Sequence, residues 1–248
     1  MIALIRTELL KVRTTRMALG FAIGTLGLVL LSVSVTIFTA GKAGTGPSLD
    51  TLAGVRSVFA SATAATTAAL LLGIIFMASE FRHGTATPTF LVTPRRGQVV
   101  GAKLLASAIV GLALGLVDAV FTALIAVPWL AAKDVSVPIG TVLPVLGGAV
   151  LAAALMGAVG VGVGALIRNQ VVAIVVALAW TFVIEALLLS LLPAVGKWLP
   201  GGATSGITNT TVQGHHLLPV WAAALVLIAY AVVFAAAGSR FVLRRDIG

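Results

Sequence analysis

Two acids, Asp118 and Glu185, stand inside long apolar runs, and they are the residues best placed to do chemistry. A charged carboxylate at such depth costs about 2.5–3.5 kcal/mol on insertion scales. No Lys or Arg lies at comparable depth along the sequence to pair with either. Each acid must therefore be neutral, be hydrogen-bonded to a group such as Thr122 or Thr181, or face a watery cavity. One reading makes them contacts for a substrate or a proton. The other makes them satisfied hydrogen bonds between helices. Both readings stand for both residues.

Other chemistry is scarce. There is no cysteine, so disulfides, thiol catalysis and thiolate metal sites are excluded. Of the three histidines, His215 and His216 are adjacent, which is poor geometry for sharing a metal, and His83 stands alone. No metal site or cofactor is expected. Gly41-Lys42 and Gly196-Lys197 lack both the upstream glycine and the following Ser or Thr of a phosphate-cradling loop. The chain is therefore not expected to hydrolyse nucleotide itself. The array Gly160-x-Gly162-x-Gly164 lies within an apolar run rather than after a strand, which argues against a dinucleotide site. No Ser-His-Asp set or paired carboxylates appear, so the chain is not expected to be an enzyme.

The elements that must hold these acids are membrane helices. Of 248 residues, 60% are hydrophobic and only 9% charged. A soluble surface needs far more charge, and a disordered chain far fewer apolar residues. The mean hydropathy of +1.16 agrees. Six stretches reach the roughly 20 apolar residues of a membrane span. They lie at about 17–38, 58–79, 104–130, 143–167, 171–192 and 217–238. The expected fold is an all-α membrane protein, a single transmembrane domain over 1–248 with an N-terminal helix before six spans. The first run is too long for a signal-peptide core, so it is read as a retained span.

Charge sets the orientation. With both termini inside, twelve of the 16 Lys and Arg fall on cytoplasmic segments. Four, Lys42, Arg56, Lys133 and Lys197, fall outside. The net charge of +9 is read as loops facing anionic lipid, not nucleic acid. Residues 1–16 repeat Ile2, Ile5, Leu9 and Val12 at helical spacing, with Arg6, Lys11, Arg13 and Arg16 mostly elsewhere on the wheel. That pattern fits an amphipathic helix on the inner membrane surface. A simple basic topology anchor is the alternative.

Two longer polar segments remain. The inner one, about 80–103, holds an apolar knot of Phe90, Leu91 and Val92 among basic groups. Pro88 and Pro94 interrupt long helices, and Thr93-Pro94 could open a new one. A short apolar helix in water wants a partner groove; an ordinary basic loop is the plainer reading. The outer segment, about 193–216, carries Trp198 and Pro200-Gly201-Gly202 and fits a short interfacial or re-entrant helix. Its Asn209-Thr210-Thr211 sequon is of a kind common by chance.

Small residues mark packing. Gly20 with Gly24, Gly111 with Gly115 and Gly160 with Gly164 have the spacing that allows close helix approach. Residues Ala60 to Ala69 are almost all Ala, Ser and Thr. Such a run should face a helix, a partner subunit or a polar path.

In order and spacing these pieces resemble the type-two permease subunits of ABC transporters, in particular the short six-span exporters of actinobacteria. The resemblance runs the length of the chain. It is carried by Glu80-Phe81-Arg82-His83-Gly84-Thr85, by Thr93-Pro94-Arg95-Arg96 with Lys103, by Thr7-Glu8-Leu9-Leu10-Lys11-Val12-Arg13, and by Lys197-Trp198-Leu199-Pro200-Gly201. The resemblance implies that Arg82, His83, Gly84, Thr85, Phe90, Leu91, Thr93, Pro94, Arg95 and Arg96 belong to a coupling loop docked on a separate ABC ATPase subunit. It further implies a second permease, identical or related, a setting in the bacterial cytoplasmic membrane with lipid neighbours, and export of a hydrophobic or amphipathic substrate. It gives Asp118 and Glu185 no role; they are candidates for the transport path. A non-transporting sensor or immunity protein that binds a toxin or lipid is the rival reading, and an intramembrane enzyme is a third.

Overall fold

The structure, a computed structural model, describes residues 2–14, 17–42, 46–82, 96–167, 169–210 and 217–245. Among these residues every regular element is helical. Six helices are long and apolar enough to cross a membrane: Met17–Thr39, Leu52–Ser79, Gln98–Ala131, Ile139–Leu166, Gln170–Leu191 and Val220–Gly238. Each coincides with an expected span.

Helix α1 (Ile2–Thr14) precedes the first span, α2 (Met17–Thr39). The second span is broken. It starts as α3 (Leu52–Phe59), tightens into a 3-10 turn at Ala60–Thr63 and continues as α4 (Ala64–Arg82). Thr51 caps its start, accepting the Gly54 N–H at 3.1 Å. The span thus begins six residues before the expected Val58, because Arg56 sits inside the helix and is only partly exposed.

Helix α5 (Arg96–Ala131) is 36 residues long. At about 1.5 Å per residue it is longer than the ~30 Å hydrocarbon layer. The expected inner loop 80–103 is corrected accordingly: α4 runs to Arg82 and α5 begins at Arg96. Lys103, assigned to that loop from its charge, is a helical residue only 1% exposed. Residues 83–95 lie outside the described residues.

Helix α6 (Ile139–Leu166) is the centre, packed most extensively on α4, then on α5 and on α11 (Val220–Arg245). The glycine array explains this. A Cβ at Gly160 would strike the Leu70 carbonyl of α4, and one at Gly162 would strike Phe234 Cβ of α11. The array is thus a two-sided packing surface. Gly111 and Gly115 meet Ala153 and Val150 of α6 in the same way, and Ser107 donates to the Gly157 carbonyl at 2.8 Å. Gly20 and Gly24 differ: no described atom lies within contact of a Cβ at either. The small-residue run of span two is buried at Ser61, Ala62, Ala65, Thr66, Ala68 and Ala69, so it faces the chain's own helices. Ser61 shares a 2.9 Å hydroxyl bond with Ser32 of α2.

The fifth span is α7 (Gln170–Ala179), a wide π turn at Trp180–Ile184, and α8 (Glu185–Leu191). Asn169 caps α7, accepting the N–H groups of Val171 and Val172. The outer segment then folds into α9 (Pro193–Gly196) and α10 (Pro200–Ile207), each with proline in its first turn. Ile207 is buried against α6, beside Gly148.

The N-terminal helix is present, with Leu9 and Val12 packed beside Val110 and Leu114 of α5 and Ala65 of α4. Leu10 stands exposed on another side. Leu9 and Val12 are therefore covered by protein.

Candidate functional site in the fifth span

Most of α7 and α8 is exposed to the surroundings of the chain, and Glu185 is the buried residue of α8. The π turn just before it changes the register of the helix. Phe182, Val183 and Ile184 are exposed, and the next residue turns inward. Inserted turns of this kind recur at functional sites.

The carboxylate meets the segment that follows span five. Glu185 Oε2 accepts the Gly201 N–H at 2.5 Å, at the first turn of α10. Seven residues of α8 rise about 10 Å, so Gly201 has returned to the level of Glu185. The segment after span five is therefore folded back alongside α8. A helix N-terminus presents unsatisfied N–H groups and a positive dipole end, which suits an acid. Glycine lets the carboxylate come this close, because a Cβ at 201 would push Oε2 aside. The expected partner Thr181 is replaced by this backbone donor.

The second oxygen, Oε1, is buried and has no hydrogen-bond partner. The Trp180 indole lies close enough to act as a further donor to the carboxyl, while Oε1 has no partner in hydrogen-bond geometry among the described residues. Glu185 also lines a cavity of about 240 Å³, together with Leu70, Met156, Val159, Val163, Trp180, Thr181, Tyr230 and Phe234. Tyr230 and Phe234 stack edge to face at 5.4 Å. Among the described residues, Thr181, Tyr230 and Glu185 are the polar members of an otherwise apolar lining.

Asp118 is also wholly buried, and its partner is Thr25 of α2, whose hydroxyl donates to Oδ1 at 2.9 Å. Thr122, expected to bond the carboxyl, donates instead to the Asp118 backbone carbonyl at 2.7 Å. Asp118 and Glu185 are not brought into one site: one joins spans one and three, the other joins span five to α10.

A third acid was missed by sequence reasoning. Glu8 of α1 takes Lys103 Nζ at 2.8 Å on one oxygen and Lys11 Nζ at 2.8 Å on the other. Burial pushes the Glu8 carboxyl up, but the neighbouring Lys103 and Lys11 together hold it below its ordinary value. The pair spans 95 positions, so only charge complementarity could have hinted at it.

Of the expected coupling residues, Arg82 ends α4 and Arg96 opens α5. His83, Gly84, Thr85, Phe90, Leu91, Thr93, Pro94 and Arg95 lie outside the described residues, as do His215 and His216. No cluster of metal-ligating side chains occurs among the described residues. No protein-family model and no curated protein matches the chain.

Proposed function

We propose that this chain is the membrane-spanning permease subunit of an ABC exporter, working with a separate ATPase and with a second permease, identical or related. The observation that carries the proposal is the pairing of Glu185 with the folded-back outer segment, beside a cavity within the bundle. An acid placed in lipid at a cost, and held against a gap, fits a path better than a scaffold. The six spans and the resemblance of the segment between α4 and α5 to a coupling loop support the same reading. In this scheme both termini are cytoplasmic, α1 lies at the inner face of the bacterial cytoplasmic membrane, and ATP binding draws two ATPases together beneath the loops. The loops pass that motion to helices with two alternative packings.

The test is assembly. The chain is purified from its native membrane and its co-purifying subunits are identified. An ATPase bearing a phosphate-binding loop is expected. Phe90→Ala combined with Arg95→Ala should leave membrane insertion intact and release that ATPase. Removing Phe90 forfeits roughly 1.5–3 kcal/mol of burial, and removing Arg95 a smaller, salt-sensitive amount. Retention of the ATPase by the double variant would reduce the loop to a topology anchor, and absence of any ATPase would overturn the reading.

A further inference from the structure

We propose that the cavity beside Glu185 is a binding site for a compact lipophilic amine, with its ammonium on Glu185 Oε1 and its apolar body among Leu70, Met156 and Phe234. That such an amine is the exported cargo rests on the exporter reading above; the binding itself does not.

Three observations converge. First, Glu185 is 1% exposed; the Gly201 N–H holds Oε2, and Oε1 has no hydrogen-bond partner among the described residues. The open oxygen is an acceptor whose desolvation is uncompensated, and an ammonium supplies both the charge and up to three donors. Second, the aromatic side chains of Trp180, Tyr230 and Phe234 line the same cavity. Rings favour a cation over a neutral head or an anion. Tyr230 lies within electrostatic reach of Glu185, so carboxylate and ring serve one position. Third, the volume of about 240 Å³ lies just below the usual ~300–1,000 Å³ of drug-sized pockets. The ligand is therefore a single compact body with one charged head. An acidic ligand would meet Glu185 with like charge, and among the described residues no Lys or Arg lines the cavity to offset it. The Gly201 N–H fixes the other oxygen, so the site is preorganised and pays little to orient its acceptor.

The full chain in phosphatidylcholine nanodiscs is offered three probes of one shape: aminoadamantane, adamantanol and adamantane carboxylate. Equilibrium dialysis against empty nanodiscs reads saturable binding. The amine should bind at least about tenfold tighter than the alcohol, and the carboxylate should not bind. Glu185→Gln should bring the amine down to the level of the alcohol. Ala177→Phe fills the cavity and leaves Glu185 in place; it should abolish saturable binding of the amine. Should Glu185→Gln fail to fold, the ranking of the three probes on the wild-type chain and the Ala177→Phe result decide the matter. Equal binding of alcohol and amine, or amine binding that survives Ala177→Phe, overturns the proposal. Failure of the exporter reading looks different: the amine binds with this ranking and no ATPase accompanies the chain.

Discussion

Asp118 and Glu185 are both acids buried in apolar helices, but they are held in different ways. Asp118 is enclosed, and a side-chain hydroxyl of the first span reaches it. The Thr25 hydroxyl has one proton and two acceptors in range, the Ala22 carbonyl at 3.0 Å and Asp118 Oδ1 at 2.9 Å. That is a joint between two packed helices. Glu185 is reached by a backbone N–H of a folded-back segment and stands beside open volume. Each acid keeps one buried oxygen without a hydrogen-bond partner among the described residues, Oδ2 of Asp118 and Oε1 of Glu185, so neither burial nor an unpartnered oxygen separates a structural acid from a binding one; the cavity that Glu185 helps to line does. Glu8 supplies the reference for both, because it is an acid removed from water with cations already in place.

The largest effect is expected at that reference. Lys103 is almost fully buried, so Glu8→Gln takes the carboxylate from a charge that cannot return to water. The loss should be about 3 kcal/mol, read as a lowered unfolding midpoint of the purified chain. Lys103→Met in addition should recover much of it, giving a clear coupling energy in a double-mutant cycle. The pH dependence has a definite sign. The folded carboxyl titrates below its ordinary 4.5. Its contribution is therefore complete above 4.5 and is lost as pH falls through the lower folded value. Wild type and Glu8→Gln should converge in acid and diverge at neutral pH. Equal stability at neutral pH would mean that the pair contributes nothing.

This ion pair also marks the limit of what the sequence carries. Spans were legible because about 20 apolar residues have few other uses, and spacing gave the packing role of Gly111 with Gly115 and Gly160 with Gly164 but not of Gly20 with Gly24. Lys103 was misplaced because a charge usually signals water, and its partner lies 95 positions away. The start of span two was misplaced for a related reason: Arg56 looked like a boundary, although Thr51 offered a capping signal before it. Glu185 was found from its type and depth alone. Its partner was not, because a backbone N–H has no letter in the sequence. The Pro200-Gly201-Gly202 run announced a helix start, but its return to Glu185 depends on the tertiary fold. The π turn left no sequence trace, since nothing in Trp180–Ile184 differs in composition from an ordinary lipid-facing turn.

The next effect sharpens the Glu185 side of the comparison. Glu185→Ala removes the acceptor at Gly201 and should cost about 1–3 kcal/mol, with faster amide hydrogen exchange across α10. Glu185→Gln keeps a carbonyl oxygen for the same N–H and should cost less than about 1 kcal/mol. Gly201→Ala displaces the carboxylate by its Cβ and leaves the acid in the chain, so exchange in α10 should rise while the charge is kept. If export is lost in Glu185→Gln while stability is kept, charge and cap are separate roles. Export unchanged in Glu185→Gln across a range of pH would leave Glu185 only the cap, and the contrast with Asp118 would vanish.

The smallest effects belong to Asp118. Hydrogen bonds between membrane helices average about 0.6 kcal/mol and reach about 1.7, because the separated helices also find partners. Thr25→Val should fall in that range and loosen α2 from α5 without unfolding either. Asp118→Asn should fall below it, since the amide can both accept from Thr25 and donate to it. Neither variant should alter amine binding, because the cavity at Glu185 is lined by other helices and by neither of these residues. The measurement is thermal unfolding of each purified variant, paired with export in membranes. Asp118→Asn with wild-type stability and no export would place Asp118 on the path as well. The distinction would then be between two steps of one route, with the hydroxyl joint of the first span acting on cargo before or after the carboxylate of the fifth.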